Sequence, residues 1–515
     1  MSILDRIATV TDFVRVHARE RPEQAAIWFE ERELSYAALH HRSSQCARAL
    51  LAAGVAPGDR IAALTKNCDA FAILWFGAMK VRACVVPVNT RLAVREIASI
   101  LANSGARMLF VGPEFTGMLP AIRDACPNLS TVIALEGEFG PWIDAYPAND
   151  PKLAERADDD IIQLYTSGTT GLPKGVPLTH TNLIEQLRSG TLQEYGAWEP
   201  GCTSLVALPV FHVAGAVCLL FAMLHGARAV TVRDIVPIEL TGIISAQGIN
   251  YAFLTPTIIH FILAVPGIET GDFSSLKHIF YGASPISEDL LKRAMARFPC
   301  AFSQVYGMTE ASGVVTSLPP ERHVPGKLLS CGQPVPGVEL RIVDADGNDV
   351  PQGQVGEVAV RAAFVMRGYW NQPEATAAVL SSDGWYRTGD AGWLDPDGDL
   401  FIHDRIKDMI VSGGENVYPA EVENALAGHP DIFEVAVIGV PDDRWGEAVK
   451  AIVVPRPGGA QDPESIIAWA RARIGGFKVP KSVDFVEAMP RNATGKVLRR
   501  LLREPYWQGT GRRVA

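Results

Sequence analysis

The sequence predicts an α/β fold built from more than one domain. In the first part of the chain a helix-like segment lies between two apolar strand-like segments, which is the pattern of parallel α/β units. The chain has 515 residues, and a single hydrophobic core stops growing well before this length. After about residue 330 the pattern changes to short strands joined by explicit turns. We therefore expect at least two domains.

The α/β pattern is clearest early in the chain. Residues 60–64 have the composition of a buried strand, residues 70–80 that of a buried helix and residues 83–88 that of the next strand. Three more apolar strands are predicted at 204–208, 229–232 and 278–281.

Residues 205–224 form the most apolar stretch of the chain. A membrane-spanning helix here would have to bury His212 and accommodate Pro209, and both are costly in lipid. We interpret this stretch as a core strand followed by a buried helix.

From about residue 330 onwards the sequence favours a β-rich unit. Residues 339–344 and 356–361 alternate like paired strands, and residues 395–403 contain a further hairpin with the turn Asp-Pro-Asp-Gly-Asp. A smaller α/β pattern then follows, with a helix at 420–426 and a strand at 433–440. The main domain boundary is therefore predicted between residues 406 and 407, which gives domains 1–406 and 407–515.

Composition argues against several classes of protein. The formal net charge is −10, so the chain lacks the basic surface that a general nucleic-acid binder needs. The eight cysteines form no Cys-x-x-Cys pair and have no zinc-ligand spacing with histidine. Together with the absence of a secretory pattern at the first residues, this predicts a cytoplasmic protein without integral membrane association.

The loop at 166–175 has the chemistry of a polyphosphate site. It follows the apolar strand 161–165 and contains glycines that let backbone amides converge on an anion. Hydroxyl donors and the positive charge of Lys174 provide further groups that bind an anion. The loop is not a Walker A motif, and the chain contains neither Gly-x-Gly-x-x-Gly nor Gly-x-Ser-x-Gly. On its own the loop indicates polyphosphate binding, against the alternative of a polar linker.

Three further motifs follow in order along the chain. They are Tyr306-Gly-Met-Thr-Glu310, Tyr386-Arg-Thr-Gly-Asp390 and Asn492-Ala-Thr-Gly-Lys496. Together with the loop at 166–175, these motifs resemble those of the adenylate-forming superfamily. The resemblance runs from about residue 20 to residue 500. That superfamily contains acyl-CoA synthetases, firefly-type luciferases and peptide-synthetase adenylation domains. The chain looks most like its bacterial fatty-acyl and aryl-CoA ligases.

The resemblance implies a fold and a reaction. The fold is a large N-terminal domain of two α/β subdomains plus a distorted β-barrel, followed by a small mobile α+β C-terminal domain. The reaction uses ATP and Mg²⁺ to convert a carboxylic acid into an acyl-AMP, and coenzyme A then accepts the acyl group. The C-terminal domain would rotate about Lys407 between the two steps.

The resemblance also implies roles for residues at matching positions. The residues that would bind the phosphates are Thr166, Ser167, Gly168, Thr169, Thr170, Gly171 and Lys174. Those that would line the adenine pocket are Gly282, Ala283, Ser284 and Pro285. Tyr306 and Gly307 would contact adenine, and Thr309 would reach the α-phosphate. Glu310 would hold Mg²⁺ together with Thr169, since oxygen ligands suit this ion.

The remaining nucleotide contacts are implied further along the chain. Asp390 would accept hydrogen bonds from the ribose hydroxyls, as a carboxylate can, and Arg405 would add a donor. Lys496 would contact the attacking carboxylate and the α-phosphate as charge develops. The segment that would line the coenzyme A tunnel comprises Ser412, Gly413, Gly414 and Glu415, together with Trp445.

The acyl pocket is the least defined part of the prediction. The residues implied by position are His212, Val213, Gly282, Val305, Gly307 and Ser312. Because they are mostly small or apolar and offer no basic cluster, we expect an apolar monocarboxylic acid. A medium-chain fatty acid and an arylpropenoic acid of the ferulate type stay open. So do acyl transfer to a carrier protein, a non-catalytic nucleotide-binding role, and the oligomeric state, monomer or homodimer.

Overall fold

The computed structural model describes residues 3–166, 173–193, 196, 198–199, 201–405, 408–442, 444–492 and 495–508. The first helices and strands are α1 (Thr11–Glu20), β1 (Ala25–Phe29), β2 (Arg32–Ser35), α2 (Tyr36–Ala52), β3 (Arg60–Leu64), α3 (Asp69–Lys80), β4 (Cys84–Pro87), α4 (Val94–Ser104), β5 (Met108–Val111), α5 (Leu119–Ala125), β6 (Thr131–Ala134), α6 (Phe139–Asp144) and β7 (Asp160–Thr166).

The middle of the chain continues the alternation of helices and strands. Its elements are β8 (Lys174–Thr179), α7 (His180–Thr191), β9 (Thr203–Val206), α8 (Val213–His225), β10 (Arg228–Thr231), α9 (Pro237–Ala246), β11 (Tyr251–Leu254), α10 (Pro256–Leu263), β12 (His278–Gly282), α11 (Glu288–Arg297), β13 (Ala301–Met308), β14 (Gly313–Leu318) and β15 (Gln333–Pro334). Short 3₁₀ turns occur at Ile3–Asp5, Pro113–Met118, Ile268–Thr270, Thr309–Ala311 and Pro320–Arg322.

The last third of the chain contains the β-rich unit and the C-terminal elements. They are β16 (Glu339–Val343), β17 (Gly356–Arg361), α12 (Pro373–Ala377), β18 (Tyr386–Leu394), β19 (Leu400–Arg405), β20 (Ile410–Ser412), β21 (Glu415–Val417), α13 (Pro419–Leu426), β22 (Ile432–Asp442), β23 (Gly446–Pro455), α14 (Pro463–Arg471), β24 (Ser482–Phe485) and α15 (Arg499–Trp507).

Four sheets organise these elements. A six-stranded sheet has the order β6-β5-β3-β4-β7-β8, and a nine-stranded sheet has the order β15-β14-β13-β12-β11-β9-β10-β1-β2. A four-stranded antiparallel sheet, β16-β17-β18-β19, forms the β-rich unit. The C-terminal sheet has the order β21-β20-β23-β22, with β24 beside β23. The predicted α/β class, with a β-rich unit and a smaller C-terminal part, is confirmed.

Most of the predicted elements occur where the sequence placed them. Strand β3, helix α3 and strand β4 coincide with the first predicted unit, and β3 and β4 are parallel. The apolar stretch 205–224 is a strand followed by the buried helix α8, as expected. Among the described residues, no helix combines the length and apolarity needed to cross a membrane.

Two features of the sheets were not predicted. Strands β1 and β2 join the nine-stranded sheet through β10, although they precede the six-stranded sheet in the chain. Strands β7 and β8 form an antiparallel hairpin, with Thr166 paired to Lys174. The predicted phosphate loop therefore begins and ends on two antiparallel strands at the edge of a mostly parallel sheet.

The core of the six-stranded sheet holds one buried lysine. Lys80, at the end of α3, is 0 % exposed and its Nζ donates to Ser43 Oγ at 2.8 Å and Ser44 Oγ at 2.9 Å on α2. It also donates to the carbonyl of His40 at 3.1 Å. Burial lowers the pKa of Lys80 to about 7 because removal from water penalises the charged form.

We expect Lys80→Met to change how stability depends on pH. An unfolded chain keeps this lysine protonated up to its ordinary pKa, whereas the native state releases the proton near pH 7. Between about pH 7 and pH 10 the native state therefore binds fewer protons, and raising the pH stabilises it by up to about 1.4 kcal/mol per unit. Urea unfolding across this range should show wild-type stability rising relative to Lys80→Met.

Lys292→Met on the exposed side of α11 serves as the control, since its stability difference from wild type should stay constant with pH. A pH-independent difference for Lys80→Met would contradict the assignment of a lowered pKa to Lys80.

Candidate active site

The two ends of the predicted phosphate loop converge on Glu310. Thr166 donates its hydroxyl to Glu310 Oε1 at 3.4 Å, and Lys174 Nζ lies 4.6 Å from the ring centroid of Tyr369. Tyr369 in turn donates to Glu310 Oε1 at 3.0 Å. Ser167, Gly168, Thr169, Thr170 and Gly171 lie outside the described residues. The described ends already place hydroxyl and ammonium groups beside one carboxylate.

Glu310 is held by its own backbone as well as by its neighbours. It lies in the 3₁₀ turn after β13 and is 9 % exposed, and its carbonyl accepts from the Met366 amide at 2.7 Å. Burial and the nearby Glu310 carboxylate raise the pKa of both Tyr369 and Tyr386, so both phenols stay protonated donors. A carboxylate with hydroxyl neighbours and a nearby lysine fits a site where Mg²⁺ bridges phosphate oxygens.

Asp390 lies at the centre of a second cluster. Tyr306 donates its hydroxyl to Asp390 Oδ2 at 2.6 Å, and Arg405 Nε lies 2.8 Å from Asp390 Oδ1. The β18–β19 ladder pairs Asp390 directly with Arg405, and Arg405 Nη1 also donates to the Thr388 carbonyl at 2.9 Å. Each carboxylate oxygen retains capacity for a further hydrogen bond. The cluster could therefore accept ribose hydroxyls without losing its own contacts.

The predicted adenine segments lie at the carboxyl ends of adjacent parallel strands. Gly282 at the end of β12 pairs with Val305 on β13, and a Cβ at Gly282 would lie 2.0 Å from the Val305 carbonyl oxygen. A Cβ at Gly307 would lie 1.8 Å from the Gly313 carbonyl oxygen. Only glycine fits these two close approaches. Ala283 follows with φ 66°, a left-handed conformation that is strained for a residue with a Cβ.

Lys496 lies beside the Asp390–Arg405 pair. Burial is the largest cause of its lowered pKa and the charge of Arg405 the next, while Asp390 and Asp404 act in the opposite direction. The backbone amide of Lys496 donates to Asn492 Oδ1 at 2.8 Å, which closes the turn before it. A lysine from the C-terminal part thus enters the site formed by the N-terminal part.

The turn carrying Lys496 is docked by two contacts from the N-terminal part. Thr257 at the start of α10 donates to the Gly495 carbonyl at 3.1 Å, and Arg91 Nη1 donates to the Asn492 carbonyl at 2.6 Å. These contacts span 238 and 401 residues of sequence. They hold the lysine in the site in this structure.

Arg499 makes a further link between the two parts. It pairs with Asp404 on β19 at 3.1 Å and with Glu423 on α13 at 2.9 Å. Burial raises the pKa of Asp404 to about 6, while Arg499 opposes the shift. The predicted hinge residue Lys407, which follows Asp404 closely in sequence, lies outside the described residues.

The predicted coenzyme A segment forms an exposed turn on the C-terminal sheet. Gly413 and Gly414 connect β20 to β21 with positive φ values, and Ser412 is buried at the end of β20. The Gly413 amide donates to the Trp445 carbonyl at 2.8 Å, and Trp445 is 37 % exposed. Glu415 is also exposed. The segment is arranged as one surface, with Trp445 packed against it.

A cavity of about 160 Å³ extends from the Tyr306 region between the nine-stranded sheet and helices α7 and α8. One face of α8 lines it with Val213, Ala214, Val217, Cys218 and Phe221. These positions recur at helical spacing. The sheet side is formed by residues from β9, β11, β12, β13 and β14.

Three of the six residues predicted for the acyl pocket line this cavity, and three do not. Val213, Val305 and Gly307 are among the lining residues. Gly282 instead packs against the β13 backbone, and Ser312 turns away to donate to the Phe364 carbonyl at 2.7 Å. His212 precedes α8 as its N-cap residue and is half-buried beside Phe211, and removal from water lowers its pKa to about 4.

Several residues of the site were missed by the sequence interpretation. Tyr369 carried no motif signal, because its role depends on packing against Glu310 across 59 residues. Trp198, Phe221 and Gln186 line the cavity. The helical spacing of apolar residues in α8 could have indicated Phe221, whereas nothing in the local sequence singles out Trp198.

Comparisons with known proteins agree with this geometry. The AMP-binding enzyme family matches residues 14–370, and the AMP-binding enzyme C-terminal domain matches residues 421–496. The chain is 40% identical over 515 residues to a fatty acid–[acyl-carrier-protein] ligase from Streptomyces coeruleorubidus, covering 99% of this chain and 98% of that protein. It is 40% identical over 491 residues to a feruloyl-CoA synthase from an Amycolatopsis species, covering 95% and 97%.

A solved structure is similar over almost the same length. The crystal structure of an anthranilate CoA ligase in complex with anthranoyl-AMP has a TM-score of 0.91 and 28% sequence identity, covering 97% of both chains. The first match includes Tyr306 and Glu310, and the second ends at Lys496. The chain therefore belongs to the AMP-binding enzyme family and is an AMP-forming acid–thiol ligase of the acyl-CoA synthetase type, which uses ATP, Mg²⁺ and coenzyme A.

Proposed function

We propose that the clusters around Glu310 and Asp390 are the adenylation site, in which an apolar monocarboxylic acid is converted to an acyl-AMP before transfer to coenzyme A. The observation that carries this proposal is the position of Lys496. It is half-buried and lies beside Arg405 and Asp390, and it comes from a turn docked on Arg91 and Thr257. An ammonium group in this position would meet both the acid and the α-phosphate.

The nucleotide would occupy the carboxyl ends of β12, β13 and β18. Asp390 accepts the ribose hydroxyls, Tyr306 packs on adenine, and the segment from Gly282 through Ala283 and Ser284 to Pro285 lines the base. Ligands of parallel α/β sheets bind at this end of the strands. The loop from Thr166 to Lys174 receives the β- and γ-phosphates, and Thr309 reaches the α-phosphate.

Glu310 and Thr169 would hold Mg²⁺ at the phosphates. The bound ion supplies neutralisation of the charge that develops on the departing pyrophosphate. Tyr369 and Thr166 orient the Glu310 carboxylate through hydrogen bonds to Oε1. Lys174, held near the Tyr369 ring, provides a second positive charge at the same phosphates.

The chemical step is attack of the substrate carboxylate on the α-phosphorus of ATP. Lys496 and Arg405, both partly buried, stabilise the negative charge that grows on the α-phosphate oxygens. The bond to pyrophosphate breaks, and the acyl-AMP stays bound by Asp390.

Domain 407–515 then turns about Lys407 relative to domain 1–406. This withdraws Lys496 and brings the surface of Ser412, Gly413, Gly414 and Glu415, with Trp445, to the acyl-AMP. The proposal is supported by the arrangement of these residues on one exposed turn. The coenzyme A thiolate attacks the mixed anhydride and releases AMP.

The acid would occupy the cavity beside α8. Its described lining residues include no lysine or arginine, so a second carboxylate would find no counter-charge there. Relatives named for feruloyl-CoA, indoleacetate and long-chain fatty acids support an apolar monocarboxylic acid. A cytoplasmic location is supported by the eight free cysteines.

We expect Lys496→Ala to abolish adenylation and to spare thioester formation. The variant removes the charge at the α-phosphate, while the surface that meets coenzyme A lies on another turn. ATP–pyrophosphate exchange should fall by about 100-fold or more, whereas supplied acyl-AMP should still yield acyl-CoA. Lys292→Ala, on exposed α11, is the control for loss of a lysine. Near-normal exchange in Lys496→Ala would refute the assignment.

The Asp404–Arg499 pair gives a pH-dependent prediction. Asp404 is ionised and pairs with Arg499 above about pH 6, its raised pKa, and it becomes neutral below that value. The other charged groups near Asp404 are Glu423, Asp408 and Lys496. Adenylation by the wild type should therefore decline relative to thioester formation as the pH falls through 6.

Asp404→Asn should lack this decline and should adenylate about 5- to 10-fold more slowly at pH 7.5, since the charge of a buried pair is lost. Asp346→Asn, in an exposed turn of the β-rich unit, is the control, because it leaves Asp404, Glu423 and Arg499 in place. Stopped-flow rates of adenylation and of thioester formation between pH 5 and pH 8 test this prediction. An equal decline of adenylation in the wild type and in Asp404→Asn would contradict it.

Transfer to a carrier protein is the second candidate, favoured by the 40% identity to the acyl-carrier-protein ligase. Thioester formation with free coenzyme A should be at least as efficient as with a phosphopantetheinylated carrier protein. If only the carrier protein is acylated, the coenzyme A assignment is wrong and the adenylation assignment stands.

A further inference from the structure

The cavity beside α8 contains two buried polar groups that have no partner in the described structure. They are Gln186 Oε1 on α7 and Trp198 Nε1. Gln186 is 2 % exposed. A buried acceptor or donor without a partner costs free energy, so such groups in a ligand cavity point to a ligand that supplies the missing hydrogen bonds.

The two groups lie on different parts of the wall. Gln186 packs against Gly313 on β14, where an added Cβ would lie 3.2 Å from its amide carbon. Trp198 stacks on Tyr251 with ring centroids 4.2 Å apart and meets the edge of Phe221 at 4.8 Å. The rest of the lining is largely aliphatic and aromatic.

The mouth of the cavity can be located from the course of α8. This helix connects the parallel strands β9 and β10, so its N-terminus lies at the edge of the sheet where β12 and β13 end. Val213 therefore marks the mouth, where the helix N-terminus favours a carboxylate. Phe221 lies eight residues further on, at a depth of about 12 Å at 1.5 Å per residue. Trp198 lies at this deeper end.

The size of the cavity favours a ring over a long chain. Its volume is about 160 Å³, close to the roughly 150 Å³ of an apolar cavity that binds benzene. Phe221, Tyr251, Phe253 and Phe280 supply aromatic faces and edges to such a ring. The depth requires a short spacer between the carboxylate at the mouth and a ring at the deeper end.

We propose that the preferred acid is a single-ring aryl acid with a short spacer and a ring hydroxyl, selected by Gln186 and Trp198. The hydroxyl donates to Gln186 Oε1, and an oxygen on the ring accepts from Trp198 Nε1. Acids without these oxygens leave one or both groups unpaired, which is the basis of selection against them. The inference rests on the proposed adenylation function and names its substrate class.

The test compares kcat/KM in ATP–pyrophosphate exchange for 3,4-dihydroxycinnamate, cinnamate and decanoate. The first acid carries one ring oxygen for each of the two groups, and we expect the wild type to prefer it over cinnamate by about 10- to 100-fold and to use decanoate least. Gln186→Met and Trp198→Phe should each reduce the first ratio while exchange with cinnamate persists. Trp142→Phe, where the ring packs on Phe110 away from the cavity, should keep the wild-type ratio.

Exchange with cinnamate in each variant reports that the variant is folded, and the two variants act at separate positions. Preference for decanoate, a wild-type ratio near one, or a ratio unchanged in both variants would overturn the selection by Gln186 and Trp198. If the enzyme shows exchange with decanoate and with neither aryl acid, this inference is overturned and the adenylation function stands. No exchange with any acid overturns both.

Discussion

The proposed site depends on holding the charge of Lys496, from the C-terminal part of the chain, beside Arg405 and Asp390. Removal from water lowers the pKa of this lysine, and Arg405 adds repulsion. Asp390 and Asp404 offset part of this cost, and backbone carbonyls of the same turn are held by Thr257 and Arg91. The proposed reaction has two nucleophiles, first the substrate carboxylate and then the coenzyme A thiolate. An ammonium group held by few contacts can be withdrawn between the two attacks.

The N-terminal part prepares the site through close backbone packing. Gly282 and Gly307 let neighbouring strands approach more closely than a side chain would allow. This brings the ends of β12 and β13 beside Glu310 in its 3₁₀ turn. Glu310 then receives hydrogen bonds from Thr166 and Tyr369. The carboxylate is therefore oriented by groups from two separate segments of the chain.

Much of the fold and of the nucleotide site could be predicted from the sequence. The unit β3-α3-β4 followed from the apolar pattern, and the pairing of Asp390 with Arg405 joins two motifs that the sequence already marked. The pairing of β1 with β10 was not predictable, because strand partners 200 residues apart leave no local pattern. Tyr369 was missed for the same reason, since only tertiary packing brings it to Glu310.

The sequence by itself determined the class of reaction, because the motifs proposed to bind phosphate and ribose and to catalyse are short, and charge and hydrogen bonding restrict their residue types. Only the tertiary structure decided the acyl cavity. Its wall combines Gln186, Trp198, Phe221, Tyr251 and Val305, which come from separate elements. The volume between a sheet and two helices depends on how these elements pack, and a packing volume is not encoded at any one position of the chain.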